Sequence, residues 1–126
     1  MMRLLLDTHL FLWAVGGSRL LKPAARRTIE SAEQVFVSAA SLWEITLKAR
    51  LGKIEADPDQ LVAAIDASGF LELPVSAAHA VAVSRLPLHH RDPFDRLLIA
   101  QSISEPLRFL TADAALGRYS LVVIVV

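Results

Sequence analysis

Four acids stand at positions from which they could do chemistry together. Asp7 ends the apolar run Leu4-Leu5-Leu6, and Glu44 is set inside Leu42-Trp43-Glu44-Ile45. Asp95 follows Asp92-Pro93-Phe94, and Asp113 closes Leu110-Thr111-Ala112-Asp113. A lone carboxylate among residues driven to bury is costly unless it is paired or neutralised. Three or four acids gathered at one crevice would also repel one another, and a hard divalent cation with its preference for oxygen ligands resolves both problems. Magnesium or manganese is the natural occupant. Mg2+ keeps several waters and binds through one or two carboxylates plus substrate phosphate, an arrangement suited to phosphodiester hydrolysis without a side-chain nucleophile.

Each acid also has a local explanation. Glu44 and Lys48 form an i, i+4 pair in the favourable orientation, worth about 0.2 to 0.5 kcal/mol on a solvated helix. Asp92 and Asp95 are spaced as N-cap and N3 of a helix, and for Asp92 capping is the preferred reading. Asp113 can cap a short helix that follows it, with Thr111 as the competing cap. Asp7 is the hardest to explain away, because an acid ending a buried central strand is a desolvated charge facing a crevice.

Other chemistries drop out. The chain has no cysteine, so thiolate metal sites, disulfides and cysteine nucleophiles are excluded. His9, His79, His89 and His90 show no HExxH or similar spacing, which disfavours zinc. His79 reads as helix surface and His89-His90 as a loop that could face substrate. A P-loop, GxGxxG and GxSxG are all missing, which removes nucleotide-triphosphate and serine-esterase chemistry.

Whether the acids meet depends on the elements that carry them. Strands are expected at Leu4–Leu6, Val35–Val37, Phe70–Leu73, Arg108–Leu110 and Leu121–Val126. Helical stretches run from Thr8 through Trp13, from Pro23 to about Glu33, Ala39–Leu51, Pro58–Ala67, Ser76–Leu86, Phe94–Ile103 and, briefly, Thr111–Leu116. Continuous apolar strands alternating with helices argue an α/β fold of three layers, a parallel sheet of about five strands covered on both faces. The 126 residues make one domain, 1–126. Ligands of such sheets bind beyond the carboxyl ends of the strands. Asp7 and Asp113 fall on that edge directly; Glu44 and Asp95 reach it only if their helices turn the right faces inward.

Bulk properties bound the function further. Just over half of the residues are hydrophobic and about a fifth are charged, so the chain folds. No apolar run approaches the roughly 20 residues a membrane-spanning helix needs. Asp7 comes too early for a secretory signal, and the expected compartment is the cytoplasm. The formal net charge is zero, which does not announce a nucleic-acid binder, although Lys48, Arg50 and Lys53 lie close together and Arg91 and Arg96 flank acids.

The segments Leu4-Leu5-Leu6-Asp7-Thr8-His9, Ser38-Ala39-Ala40-Ser41-Leu42-Trp43-Glu44-Ile45, His90-Arg91-Asp92-Pro93-Phe94-Asp95-Arg96 and Leu110-Thr111-Ala112-Asp113 together resemble the PIN-domain family. More narrowly, they resemble its VapC-like toxins of type II toxin–antitoxin pairs, and the resemblance runs along the whole chain. It implies a Mg2+- or Mn2+-dependent endoribonuclease that hydrolyses RNA with a cation-activated water. It also implies a homodimer held inactive by a cognate VapB-like antitoxin. The family's catalytic and metal-holding acids fall on Asp7, Glu44, Asp95 and Asp113, with Thr8, Asp92 and Thr111 as supporting groups. Two other readings compete. A haloacid-dehalogenase-type phosphatase also places an Asp after strand one, but needs a second Asp where His9 stands. A non-catalytic PIN-fold binding module would have no reason to keep four acids.

Overall fold

The computed structural model describes residues 2–89 and 91–126; His90 lies outside the described residues. Among them are five strands, β1 (Arg3–Leu6), β2 (Gln34–Ser38), β3 (Leu71–Leu73), β4 (Arg108–Thr111) and β5 (Val123–Val125). Six α-helices accompany them: α1 (Thr8–Val15), α2 (Pro23–Ser31), α3 (Ala39–Arg50), α4 (Pro58–Ala67), α5 (Ala77–Ala82) and α6 (Pro93–Ser104). Every strand pair is parallel, and the sheet order is β3-β2-β1-β4-β5. The chain winds outward from β1 to β3, then crosses to β4 on the other side of β1. The order therefore reverses between β1 and β4, and the crevice beyond their carboxyl ends is where such sheets place a ligand.

Side-chain alternation along the central strand divides the core in two. Leu4 and Leu6 pack with Val35, Val37, Leu110, Phe11, Ala25, Ile45 and Ile65 on the face covered by α1 to α4. Leu5 packs with Phe109, Leu73, Leu98 and Ile99 on the face covered by α6. Both faces of the sheet are thus buried, and continuous apolar strands are the sequence consequence. The three-layer parallel α/β expectation holds.

Differences are local. The chain after β4 forms a 3-10 turn over Ala114–Arg118, and Thr111 belongs to the strand, where it pairs with Val125. The expected long helix Ser76–Leu86 ends as α5 at Ala82 and continues only as a 3-10 turn, Val83–Arg85. The last strand is shorter than the apolar run that carries it. His79 is the clearest correction: it is 3% exposed, not on the helix surface. Its Nδ1 accepts from the Ser76 amide at 3.0 Å, and its Nε2 donates to Glu105 at the end of α6. The capping box of α5 turns the ring inward, where these partners satisfy both nitrogens.

Behind the site lies a buried polar strut. The Ser38 hydroxyl donates to Gln101 Oε1 at 2.5 Å and accepts from the Ala40 amide at 3.0 Å, capping α3. Gln101 Nε2 donates to the Pro74 carbonyl at 3.2 Å. One side chain of α6 therefore fixes the start of α3 and the exit of β3. Replacing Gln101 with Leu would strand these buried partners and should cost about 1 to 3 kcal/mol. Urea unfolding checks this; a loss within experimental error would show that the strut contributes nothing.

Candidate metal centre

The singled-out acids arrive at the β1/β4 edge by different routes: Asp7 and Asp113 from strand ends, Asp92 and Asp95 from the start of α6, and Glu44 from the middle of α3. Asp7 leaves β1 and caps α1, its Oδ1 accepting from the His9 amide at 2.9 Å. Its Oδ2 accepts from the Thr111 hydroxyl at 2.6 Å, which locks the ends of β1 and β4 together. The side chain is nearly inaccessible, at 5% exposure. Burial pushes its pKa up, but the hydrogen bonds from His9 and Thr111 outweigh that push and hold the carboxyl below its ordinary range. Asp7 is thus a stable carboxylate. The His9 imidazole, 3.8 Å from Asp7, is raised in turn by the neighbouring carboxylate.

Asp113 is exposed and caps the turn after β4, accepting from the Ala115 amide at 3.0 Å, while its own amide donates to Thr111 Oγ1 at 3.1 Å. Asp92 caps α6, accepting from the Phe94 amide at 2.8 Å and more distantly from Asp95 at 3.4 Å. Capping is what the sequence favoured for Asp92. It leaves Asp95 in the first turn of α6, within the field of the other acids.

Glu44 is the deepest of the group, 3% exposed on the inward side of α3. Lys48 pairs with its Oε2 at 2.7 Å, and its Oε1 is buried with no hydrogen-bond partner. The pair is therefore not the solvated surface contact of the local explanation. Thr8 donates to the Ser41 hydroxyl at 2.8 Å, a buried bond that fastens α1 to α3 and does not touch a carboxylate. Ser41 escaped sequence reading: its serine neighbour Ser38 marked a helix start, but nothing local told of a partner 33 residues earlier.

The acids influence one another electrostatically. Burial, first, and then repulsion from Asp92, Asp7, Glu44 and Asp113 push the Asp95 carboxyl up from 3.8 to about 7. Four like charges act on one carboxyl, so the two strand-end acids and the two helical acids share one field. Among the described residues, no three His, Asp or Glu side chains are grouped tightly enough to hold an ion by protein atoms alone. A cation taken here would need waters or substrate oxygens as further ligands, which is the habit of Mg2+. The orphaned Glu44 oxygen, beside acids whose charges add to the burial that raises Asp95, fits such a cation.

An open cleft of about 300 Å3 lined by Asp7, His9, Trp13, Ala112 and Asp113 gives access. A groove of about 360 Å3 near Arg26, Glu33, Gln34 and Phe70 lies at the other edge of the sheet, so chemistry and not size locates the site. The aromatic edge pair Trp43–Phe94, with centroids 5.2 Å apart, joins the helices that carry Glu44 and Asp95.

A parallel sheet with its acids at the β1/β4 crevice defines the class, and comparison agrees: the PIN domain family matches residues 4–121, and the chain belongs to that family. The chain is 34% identical over 123 residues to Ribonuclease VapC22 of Mycobacterium tuberculosis, covering 92% of this chain and 91% of that protein. It is a VapC-like PIN domain. Its fold is shared with VapBC2 of Rickettsia felis bound to a promoter DNA fragment, at TM-score 0.68, 17% identity and 99% and 98% coverage of the two chains. It is also shared with VapC20 of M. tuberculosis, a sarcin–ricin loop cleaving toxin, at TM-score 0.62, 17% identity and 91% and 93% coverage. The phosphatase alternative is thereby set aside.

A raised carboxyl pKa means that the folded state holds a proton more tightly than the unfolded chain. Stability from that proton is present below the ordinary value of 3.8 and up through the acid range, and is lost as pH rises toward about 7. The metal-free protein should therefore melt at a lower temperature at about pH 8 than at about pH 5.5. Asp95→Asn should flatten that slope and raise the melting temperature at the higher pH. Thermal melts in chelator check both; an equal slope in parent and variant would contradict the crowding.

Proposed function

We propose that this chain is the ribonuclease toxin of a VapBC-like pair, and that Asp7, Glu44, Asp95 and Asp113 hold a Mg2+ or Mn2+ ion against RNA. The observation that carries the reading is the Glu44 carboxylate, buried with one oxygen unpartnered, beside acids whose charges help burial raise the Asp95 carboxyl to about 7. When bound, the cation supplies Lewis acidity toward phosphate oxygens and water.

The protein's own contribution is placement. Asp7 is pinned by Thr111 and the His9 amide, so its charge and direction are fixed before any ligand arrives. Asp95 must give up its proton for a cation to bind, and affinity should therefore climb as pH rises through about 7. Asp92 and Asp113 spend part of their acceptor capacity on helix and turn caps, which orients them. Thr8 and Ser41 set the spacing between Asp7 and Glu44. Exposed Arg91, next to Asp92, supplies a positive charge on the approach to the site, where an RNA backbone would pass.

The partner half of the reading rests on the surface. Trp43, Leu47 and Leu51 are exposed at i, i+4 and i+8 of α3 and its end, an apolar stripe fit for protein contact, by a VapB-like antitoxin or in a homodimer. An antitoxin Arg or Lys reaching the acids would compete with the cation. Among the described residues, no helix is long and apolar enough to cross a membrane; the cytoplasm is the compartment where RNA and such a partner meet.

Purified protein should cleave single-stranded or loop RNA with Mg2+ or Mn2+ and stop when chelator is added. Asp7→Asn and Asp95→Asn should each lower the rate more than about a hundredfold while leaving circular dichroism unchanged. Cleavage that persists in excess EDTA, from a preparation cleared of contaminating nucleases, sinks the mechanism.

A further inference from the structure

Lys48 stands among the acids as a resident cation. Its ammonium donates to Glu44 Oε2 at 2.7 Å, with the lysine side chain 35% exposed and that of the glutamate 3%. The stem thus reaches inward from solvent to a buried carboxylate. An ordinary exposed i, i+4 pair is nearly dispensable. Here one partner is buried, its other oxygen has no partner at all, and removing the ammonium would leave an uncompensated charge. Lys48 also lies in the field of Asp92 and Asp95.

We propose that Lys48 competes with the divalent cation for Glu44: its ammonium is the counter-charge of the metal-free protein and must release Glu44 before a cation is held there. Two cations on one carboxylate repel strongly in a partly buried site. The lysine can yield, because it is a compact charge on a flexible stem whose head reaches water by a small rotation. The consequence is a centre in which Glu44 stays paired without metal and resists cations that bind weakly. The released ammonium is then available to a phosphate of the substrate.

The inference rests on Glu44 being a metal ligand, and the experiment separates the two ideas. Mn2+ alone is titrated into parent, Lys48→Met and Arg50→Gln, without RNA. Arg50 is exposed on the same helix, so its loss changes net charge equally without touching Glu44. Lys48→Met should bind Mn2+ at least about tenfold more tightly, within the usual range for coupled ligands, while Arg50→Gln stays near the parent. Acetic anhydride labelling of the unaltered protein, read by peptide mass, gives a second readout should the methionine variant not fold. Lys48 should be protected without metal and several-fold more reactive at saturating Mn2+, with exposed Lys22 and Lys53 unchanged as internal references. Equal affinity in parent and Lys48→Met, an equal gain in Arg50→Gln, or Lys48 reactivity indifferent to Mn2+ overturns the competition and leaves the metal site standing. A parent that binds no Mn2+ overturns both.

Discussion

Repulsion among carboxylates at the end of the central strands is the constraint on which the rest of this structure turns. A parallel sheet sends its strand ends and several helix starts to one edge, and this chain loads that edge with acids. The arrangement is tolerable because each charge is given something. Asp7 has the Thr111 hydroxyl and a backbone amide, Asp92 and Asp113 cap a helix and a turn, and Glu44 has Lys48. What is left over appears as the proton held by Asp95 and the bare oxygen of Glu44. A stable fold has little use for either, and a divalent cation, as proposed, would displace the proton and take up the bare oxygen.

The supporting framework reads as a response to that load. The Thr111–Asp7 bond ties β4 to β1 where the two strands part, and the Thr8–Ser41 bond ties α1 to α3. Ser38 and Gln101 anchor the first turn of α3 from beneath. Each bond is buried, where an unmade partner is expensive, so the geometry of the acids is set before anything binds. Preorganisation of this kind lets a weakly chelating site work with water and substrate oxygens completing the shell.

Much of this was legible in the sequence, for definable reasons. Apolar runs ending in Asp7 and in Thr111-Ala112-Asp113 mark strand ends, and a parallel sheet fixes which edge they share. Glu44 stood out because Leu42, Trp43 and Ile45 surround it, and it is indeed buried, although Trp43 itself is 60% exposed, so apolar neighbours alone did not fix which face of α3 turns inward. The N-cap spacing of Asp92 before Pro93 was equally plain. Contacts between residues far apart in the chain were not. Gln101 looks like any polar residue on an amphipathic helix until Ser38, 63 residues earlier, is set against it. His79 looked like surface because the residue that receives its Nε2 proton, Glu105, lies 26 positions away. Lys48 was visible as half of a helix pair, but only burial of the other half shows it to be more than a surface contact.

The central proposal is that the β1/β4 edge gathers a divalent cation. Paramagnetic broadening of amide signals in the isotopically labelled protein, at sub-stoichiometric Mn2+, locates a bound ion directly. The account predicts that signals of residues 7–9, 44–48, 94–96 and 111–114 vanish first, and that Glu44→Gln abolishes the pattern while the rest of the spectrum is preserved. Broadening centred instead on the acidic stretch Glu55, Asp57 and Asp59, or spread evenly over the surface, would contradict it.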